Sequence, residues 1–280
     1  MTATAMFPGF YRGAINLWVE DTLTRDYLRK VWQDDPTVLF FVGGGNEGVS
    51  AVLKEAELAG LGNVFAFIDR DFGTTNRPDW SNPAKTARRF VSSVHEIENH
   101  LLDADALSGC SLNTGGRSPA DINTRLQGDA STLAWWMATR SVIAEARRTI
   151  SQDFPGHPSC PPVVDRVSAE AYLAGLPWWS RVQSYVPTLS LANLNASLAA
   201  HYTTVTSWIG TGQWSSEFPG KELFRRVRDW IYTTPPIAGS TAARDSDLGK
   251  AVGEWQAANN RVPPELTELL TALKTRTGVP

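Results

Sequence analysis

Three short, unbroken apolar runs constrain this chain more than any other feature, because each stops abruptly and each is followed by a helical pattern. Ala14–Val19 stops at Glu20 and Asp21, Thr37–Val42 stops at Gly43-Gly44-Gly45, and Asn63–Ile68 stops at Asp69-Arg70-Asp71. Unbroken rather than alternating apolar character calls for burial on both faces, as in parallel strands joined by helical crossovers. After the first run, Leu23, Tyr27, Leu28, Val31 and Trp32 recur at helical spacing until Asp34-Asp35-Pro36. After the second, Val49, Val52, Leu53 and Ala56 do so until Gly60 and Gly62. A loop marked by Gly73, Asn76, Pro78, Asn82 and Pro83 then leads to an expected fourth strand, Arg89–Val94, and a helix over Leu101–Leu107. Beyond Cys110 the pattern changes to helical stretches around 119–127, 129–152, 188–209, 219–232, 246–258 and 264–276, broken near Pro155–Pro162 and Thr233–Pro236. The expected architecture is an α/β core over 1–110, with a mainly parallel sheet flanked by helices, followed by a mostly helical region over 111–280.

Composition narrows the classes. With 280 residues, 42% hydrophobic and 20% charged, the chain is neither disordered nor membrane-embedded, and no window approaches the roughly 18 apolar residues of a spanning helix. The start lacks the pattern of a signal peptide, and Cys110 and Cys160 are the only cysteines, so a cytoplasmic protein is expected rather than a secreted disulfide scaffold. A net charge of −3 does not advertise nucleic-acid binding, although it leaves room for a local basic groove. The pairs Trp135-Trp136 and Trp178-Trp179 read as packing residues, and exposed pairs would favour a homo-oligomer or a partner surface.

The acids fall at particular places. Glu20, Asp69 and Asp71 close two expected strands at their C-terminal ends, where open α/β sheets place ligands. In an extended Asp69-Arg70-Asp71 segment both aspartates project to one side and Arg70 to the other. Two such carboxylates suit a hard cation, Mg²⁺ or Mn²⁺, whose remaining positions take water and phosphate oxygens. Taken alone, D-x-D more often reads as a helix cap or a solvated turn than as a metal site. A second cluster, Glu96, Glu98 and Asn99, supplies donors from a separate segment. If Glu96-Ile97-Glu98 is extended both carboxylates share a side; if it is helical one reaches the site, with Glu98 and Asn99 preferred. His95 reads as a participant or a neighbour, and His100, His157 and His201 give no zinc spacing. Gly43, Gly45 and Gly48 match G-x-G-x-x-G, with Asp69 about twenty residues on, which leaves open a Rossmann-like NAD-binding oxidoreductase. Against it, the motif follows the second strand and no second βαβ half appears. A plain tight turn is the other reading.

Together these residues resemble the TOPRIM domain of topoisomerases, primases and the overcoming-lysogenisation-defect nucleases. Val19-Glu20-Asp21 matches its first-strand glutamate motif, Gly43 to Gly48 its Gly-rich turn, and Asp69-Arg70-Asp71 its D-x-D. His95-Glu96-Ile97-Glu98-Asn99-His100-Leu101-Leu102 is similar to the I-E-N-Y-L stretch of the nuclease branch found beside ATPases in anti-phage systems. Phe218-Pro219-Gly220-Lys221-Glu222-Leu223 resembles the segment that returns a late lysine to the site. The resemblance implies a metal-dependent nuclease cutting DNA or RNA, with Glu20, Asp69, Asp71 and Glu98 on the metal, Lys221 facing the phosphate, and a role in anti-phage defence. It departs from the pattern at Asp21 and at Thr24, where an acid is often found; Asp26 is the substitute considered. Arg88, Arg89, Arg225, Arg226 and Arg228 are candidates for backbone phosphates, the last three also for a solvated helix face. The resemblance also implies a possible partner ATPase; the chain has no G-x-x-x-x-G-K-[ST] of its own. A TOPRIM-like module that binds such a partner without cutting is a third reading.

Overall fold

A computed structural model describes residues 10–72, 88–150, 160–176, 186–233 and 241–280. The loop markers Gly73 to Pro83, His157, the prolines 155 and 158, Trp178-Trp179 and Thr234–Pro236 lie outside the described residues.

The three apolar runs are strands: β1 (Ile15–Val19), β2 (Val38–Val42) and β3 (Val64–Ile68). With β4 (Arg89–Val91) they form one parallel sheet in the order β2-β1-β3-β4. From β1 the chain steps outward to β2, then crosses back over β1 to β3. The direction of winding therefore reverses between β1 and β3, and register pairs Val19 with Phe67. Glu20 and Asp69 consequently leave the sheet close together at the switch point, where α/β sheets open a crevice.

β3 is buried on both faces, as its VFAFI sequence requires. Val64, Ala66 and Ile68 pack with Val49, Leu53 and Ala56 of α2 (Asn46–Leu58). Phe65 and Phe67 face the larger core, which contains Leu23, Tyr27 and Leu28 of α1 (Thr22–Val31). Asp21 caps α1, its Oδ1 accepting from the Thr24 N–H at 2.8 Å.

The fourth strand is shorter than expected. Ser92 N–H still donates to the Ile68 carbonyl, but Ser93 N–H donates at 2.6 Å to the Glu265 carboxylate, which takes the chain out of the ladder. The helix expected over 101–107 is split into a 3₁₀ turn, Ile97–Leu101, and α3 (Ala104–Gly109). The helical region contains α4 (Pro119–Thr132), α5 (Ala134–Ile150), α6 (Arg166–Ala174), α7 (Leu191–Thr211), α8 (Trp214–Glu217), α9 (Gly220–Ile231), α10 (Thr241–Ala258) and α11 (Pro264–Thr277). No described helix is long and apolar enough to cross a membrane. Both cysteines are free. Trp135 stacks on Tyr202 with centroids 3.7 Å apart, and Trp136 donates its indole N–H to the Cys160 carbonyl.

The hydrophobic core does not stop at residue 110. α10 lies so close to α1 that a Cβ on Gly249 would meet Leu23 Cδ1 at 2.4 Å. Tyr27 donates its hydroxyl to Gln256, and Trp32 donates its indole N–H to the Leu266 carbonyl of α11.

Candidate metal centre

The centre begins where β1 and β3 end. Glu20 turns back across the sheet, and its Oε1 accepts the Asp69 N–H at 3.0 Å. Asp69 in turn accepts the Ile97 N–H at 2.9 Å, which docks the 3₁₀ turn against β3. Arg70 points away, as strand alternation requires, and pairs at 2.7 Å with Glu217 of α8. Asp71 departs from the extended conformation expected of it. Its φ of 49° is left-handed, a region aspartate tolerates, and its N–H donates to the His95 carbonyl at 2.7 Å. The two aspartates therefore do not simply line one side of a strand. Asp71 is swung toward residues 95–96 instead.

The second acidic cluster arrives with both carboxylates useful. Glu96 is extended and precedes the 3₁₀ turn that contains Glu98. One ligand atom each from Asp71, His95 and Glu96 lie within 4.8 Å of one another. Sequence reasoning left His95 and Glu96 behind Glu98 because it had no means of placing the bend at Asp71. Asn99, considered as a metal ligand, is engaged elsewhere. Its Oδ1 accepts the Glu96 N–H at 2.8 Å, and its Nδ2 donates to the carbonyls of Ser215 and Phe218. It is the clamp that brings the late Phe218–Leu223 segment back to the sheet. Gly220 is required there, since a Cβ would lie 2.5 Å from the Asn99 nitrogen. The first turn of α9 then presents the Lys221 N–H to Glu96 at 2.7 Å, a carboxylate at a helix N-terminus. The Lys221 ammonium stands 4.0 Å from Asp21.

Asp69 is the electrostatic hub. Burial holds its carboxyl well above the usual range, and Glu98, Glu20, Glu96 and Asp71, in that order, push it further up. Burial raises Glu98 to about 8, with Glu96 and Asp21 adding to the shift and Lys221 opposing it. Glu20 also moves upward, from burial and from the Asp71 and Asp21 charges, against the pull of the Asp69 N–H. For Lys221 burial acts downward, but Glu98, Asp21 and Glu96 outweigh it and raise the ammonium. Arg140 of α5, which sequence reasoning missed, also acts on the cluster: burial lowers its guanidinium while Glu96 and Asp71 hold it charged. Nothing in a helical repeat marks which arginine comes within electrostatic range of acids far away in the chain.

Other candidates fall away for identifiable reasons. Asp26 binds Arg25 at 2.7 Å, Ser246, and Lys250 at 3.5 Å, so it stabilises the α1–α10 contact and does not replace the acid missing at Thr24. Arg228 is buried in ion pairs with Asp245 and Asp229 rather than solvated. Arg225 pairs with Asp245, and Arg226 with Glu222 and Asp129. Arg88 donates to the Leu61 carbonyl, and exposed Arg89 reaches Asn46 at 3.1 Å. The glycines build a turn. Gly44 and Gly45 spend their N–H groups on the Glu20 carbonyl at 3.0 and 3.1 Å. A Cβ on Gly48 would lie 2.1 Å from the Gly43 oxygen. Because β2 is an edge strand, this turn also lies off the switch point.

The carboxylate oxygens that predominate here fit a hard divalent cation better than a soft one. Burial and mutual repulsion of these carboxylates favour a retained proton, as the raised Glu98 shows. Comparison with family models, with characterised proteins and with solved structures finds no match to this chain.

Proposed function

We propose that this chain is a metal-dependent nuclease of TOPRIM type, hydrolysing phosphodiester bonds of DNA or RNA with Mg²⁺ or Mn²⁺. The observation that carries the reading is the convergence on Asp69 of Glu20, Asp71, Glu96 and Glu98 from three separate segments, at a sheet switch point. Glu20, Asp69, Asp71 and Glu98 are the residues that hold the cation. When bound, it supplies Lewis acidity toward a phosphoryl oxygen and lowers the pKa of water. Gly220 and Glu96 fix the first turn of α9, and in this reading the Lys221 ammonium offsets negative charge on the scissile phosphate. Near neutral pH and without a cation, Glu98 retains a proton, which a cation displaces. In this reading the protein works in the cytoplasm as an anti-phage effector, controlled by a partner ATPase.

The test is incubation of plasmid, single-stranded DNA and total tRNA with purified protein and Mg²⁺ or Mn²⁺, beside Asp69→Asn and Lys221→Ala. Metal-dependent cutting by wild type is expected, lost in Asp69→Asn and slowed about 10²–10³-fold in Lys221→Ala. No cutting, together with no Mn²⁺ binding by calorimetry, would refute the nuclease and its metal centre alike.

A further inference from the structure

Arg70 separates the two aspartates of Asp69-Arg70-Asp71, yet its own contacts lie in α8, far along the chain. The residue is 8% exposed. Its guanidinium donates twice to the Glu217 carboxylate, at 2.7 and 3.4 Å, and once to the Ser216 carbonyl, at 3.3 Å. A planar fork on a carboxylate is among the stronger and more directional contacts an arginine makes. The same Ser216 carbonyl accepts the His95 N–H at 2.8 Å, and the His95 carbonyl accepts the Asp71 N–H at 2.7 Å. Because Asp71 follows Arg70, these contacts close a circuit: from the Arg70 side chain to Ser216, on to His95, on to Asp71, and back to Arg70 through one peptide bond.

The circuit encloses the one unusual backbone conformation of the centre. Asp71 holds a φ of 49°, left-handed for a residue that carries a Cβ. Such a conformation persists where surrounding contacts over-determine it. Here its own N–H is bound to His95, and the residue before it is fixed through its side chain. In this conformation Asp71 offers a carboxylate oxygen within 4.8 Å of ligand atoms of His95 and Glu96. Extended backbone, which any residue adopts readily, would not swing Asp71 toward them. Glu217 also compensates the buried Arg70 charge on the side away from the acids, so the guanidinium does not stand in for a cation there.

We propose that the Arg70–Glu217 pair is a latch that positions Asp71 for the cation, so that α8 sets the affinity of a centre whose own carboxylates all lie between Glu20 and Glu98. This rests on reading the acids as a metal centre. Arg70 and Glu217 are positioning residues, and neither is a ligand.

The experiment measures Mn²⁺ affinity by calorimetry on EDTA-stripped full-length protein, with folding followed by near-ultraviolet circular dichroism. Glu217→Gln, which keeps the shape of the side chain and removes its charge, is expected to bind Mn²⁺ about 10-fold more weakly than wild type. Asp71→Asn is expected to lose at least as much. The double variant Glu217→Gln/Asp71→Asn is expected to match Asp71→Asn alone, because the latch then has no ligand to position. Asp245→Asn, which breaks another buried ion pair, that with Arg228, is expected to melt earlier with unchanged affinity. Wild-type affinity in folded Glu217→Gln or in Asp71→Asn, losses that multiply in the double variant, or an equal loss in Asp245→Asn each overturns the latch while leaving the metal centre standing. If Glu217→Gln does not fold, Arg70→Lys decides: it keeps the charge but not the fork, so weakened binding agrees and wild-type affinity contradicts. No Mn²⁺ on wild type overturns the metal centre itself.

Discussion

Glu98 is a residue at which the acid cluster acts on stability. Its carboxyl has an ordinary value of 4.5 and is raised in the fold to about 8 by burial first and then by Glu96 and Asp21. A group that binds its proton more tightly when folded contributes stability that is full below the unfolded pKa and is lost as pH rises through the folded one. Asp69 and Glu20 move in the same direction. The lowered carboxylates, such as Asp26 and Glu265, act below the ordinary carboxylate range, so among the carboxylates the interval from 5 to 8 belongs to the cluster. Metal-free protein is therefore expected to lose stability between about pH 5 and pH 8, by up to about 1.4 kcal/mol per unit for each proton released. Thermal melts at pH 6 and pH 8.5 should show the decline in wild type, a shallower one in Glu98→Gln, and little in wild type saturated with Mn²⁺, which binds only the folded state. An unchanged slope in Glu98→Gln would remove Glu98 as its source.

At the scale of elements, the centre depends on one close contact, between the 3₁₀ turn and α9. Gly220 lies with its would-be Cβ 2.5 Å from the Asn99 nitrogen and 2.6 Å from its Oδ1. Gly220→Ala must push α9 away from Asn99, and with it the Lys221 N–H that binds Glu96. Overpacking of this kind costs about 1–3 kcal/mol. Urea unfolding is expected to show that loss, with cleavage falling further than Mn²⁺ binding, since Glu20 and Asp69 stay on the sheet. Gly128→Ala in α4 meets nothing within 4 Å and serves as the neutral or slightly stabilised control. Equal stability of the two variants would mean that the contact is not tight. This same contact marks the limit of what sequence made legible. Runs such as VFAFI declare a buried strand by themselves, and acids at their ends declare a crevice. Whether an asparagine after Glu98 is a ligand or a clamp depends on two carbonyls more than a hundred positions away. The helix α6 was missed because its RVSAEAYLA sequence carries a faint apolar face, with Val167 exposed and Ala169 and Leu173 buried.

For the whole molecule, the sequence division at residue 110 separates two styles of chain, but it passes through one core. Leu23, Tyr27 and Trp32 belong to the α/β part, and all three are buried. Their contacts across the division are specific: Leu23 against Gly249, Tyr27 to Gln256, and Trp32 to the Leu266 carbonyl. Residues 1–110 alone would expose this face of α1, with a loss of about 1.5–3 kcal/mol for each large apolar side chain returned to water. Against a net stability on the order of 5–15 kcal/mol for a folded domain, a few such losses suffice to unfold it. Polar groups add to the deficit, because Ser93 would lose Glu265, and Glu96 would lose the Lys221 N–H. A fragment of residues 1–110 is therefore expected to lack near-ultraviolet circular dichroism and a cooperative melt, and to bind Mn²⁺ no more tightly than an unfolded acidic chain. In the full chain, urea transitions followed by tryptophan fluorescence and by far-ultraviolet circular dichroism should coincide. A fragment that melts cooperatively would show that the sheet carries its own core, and that the helices after residue 110 furnish Lys221 and Arg140 without being needed to fold it.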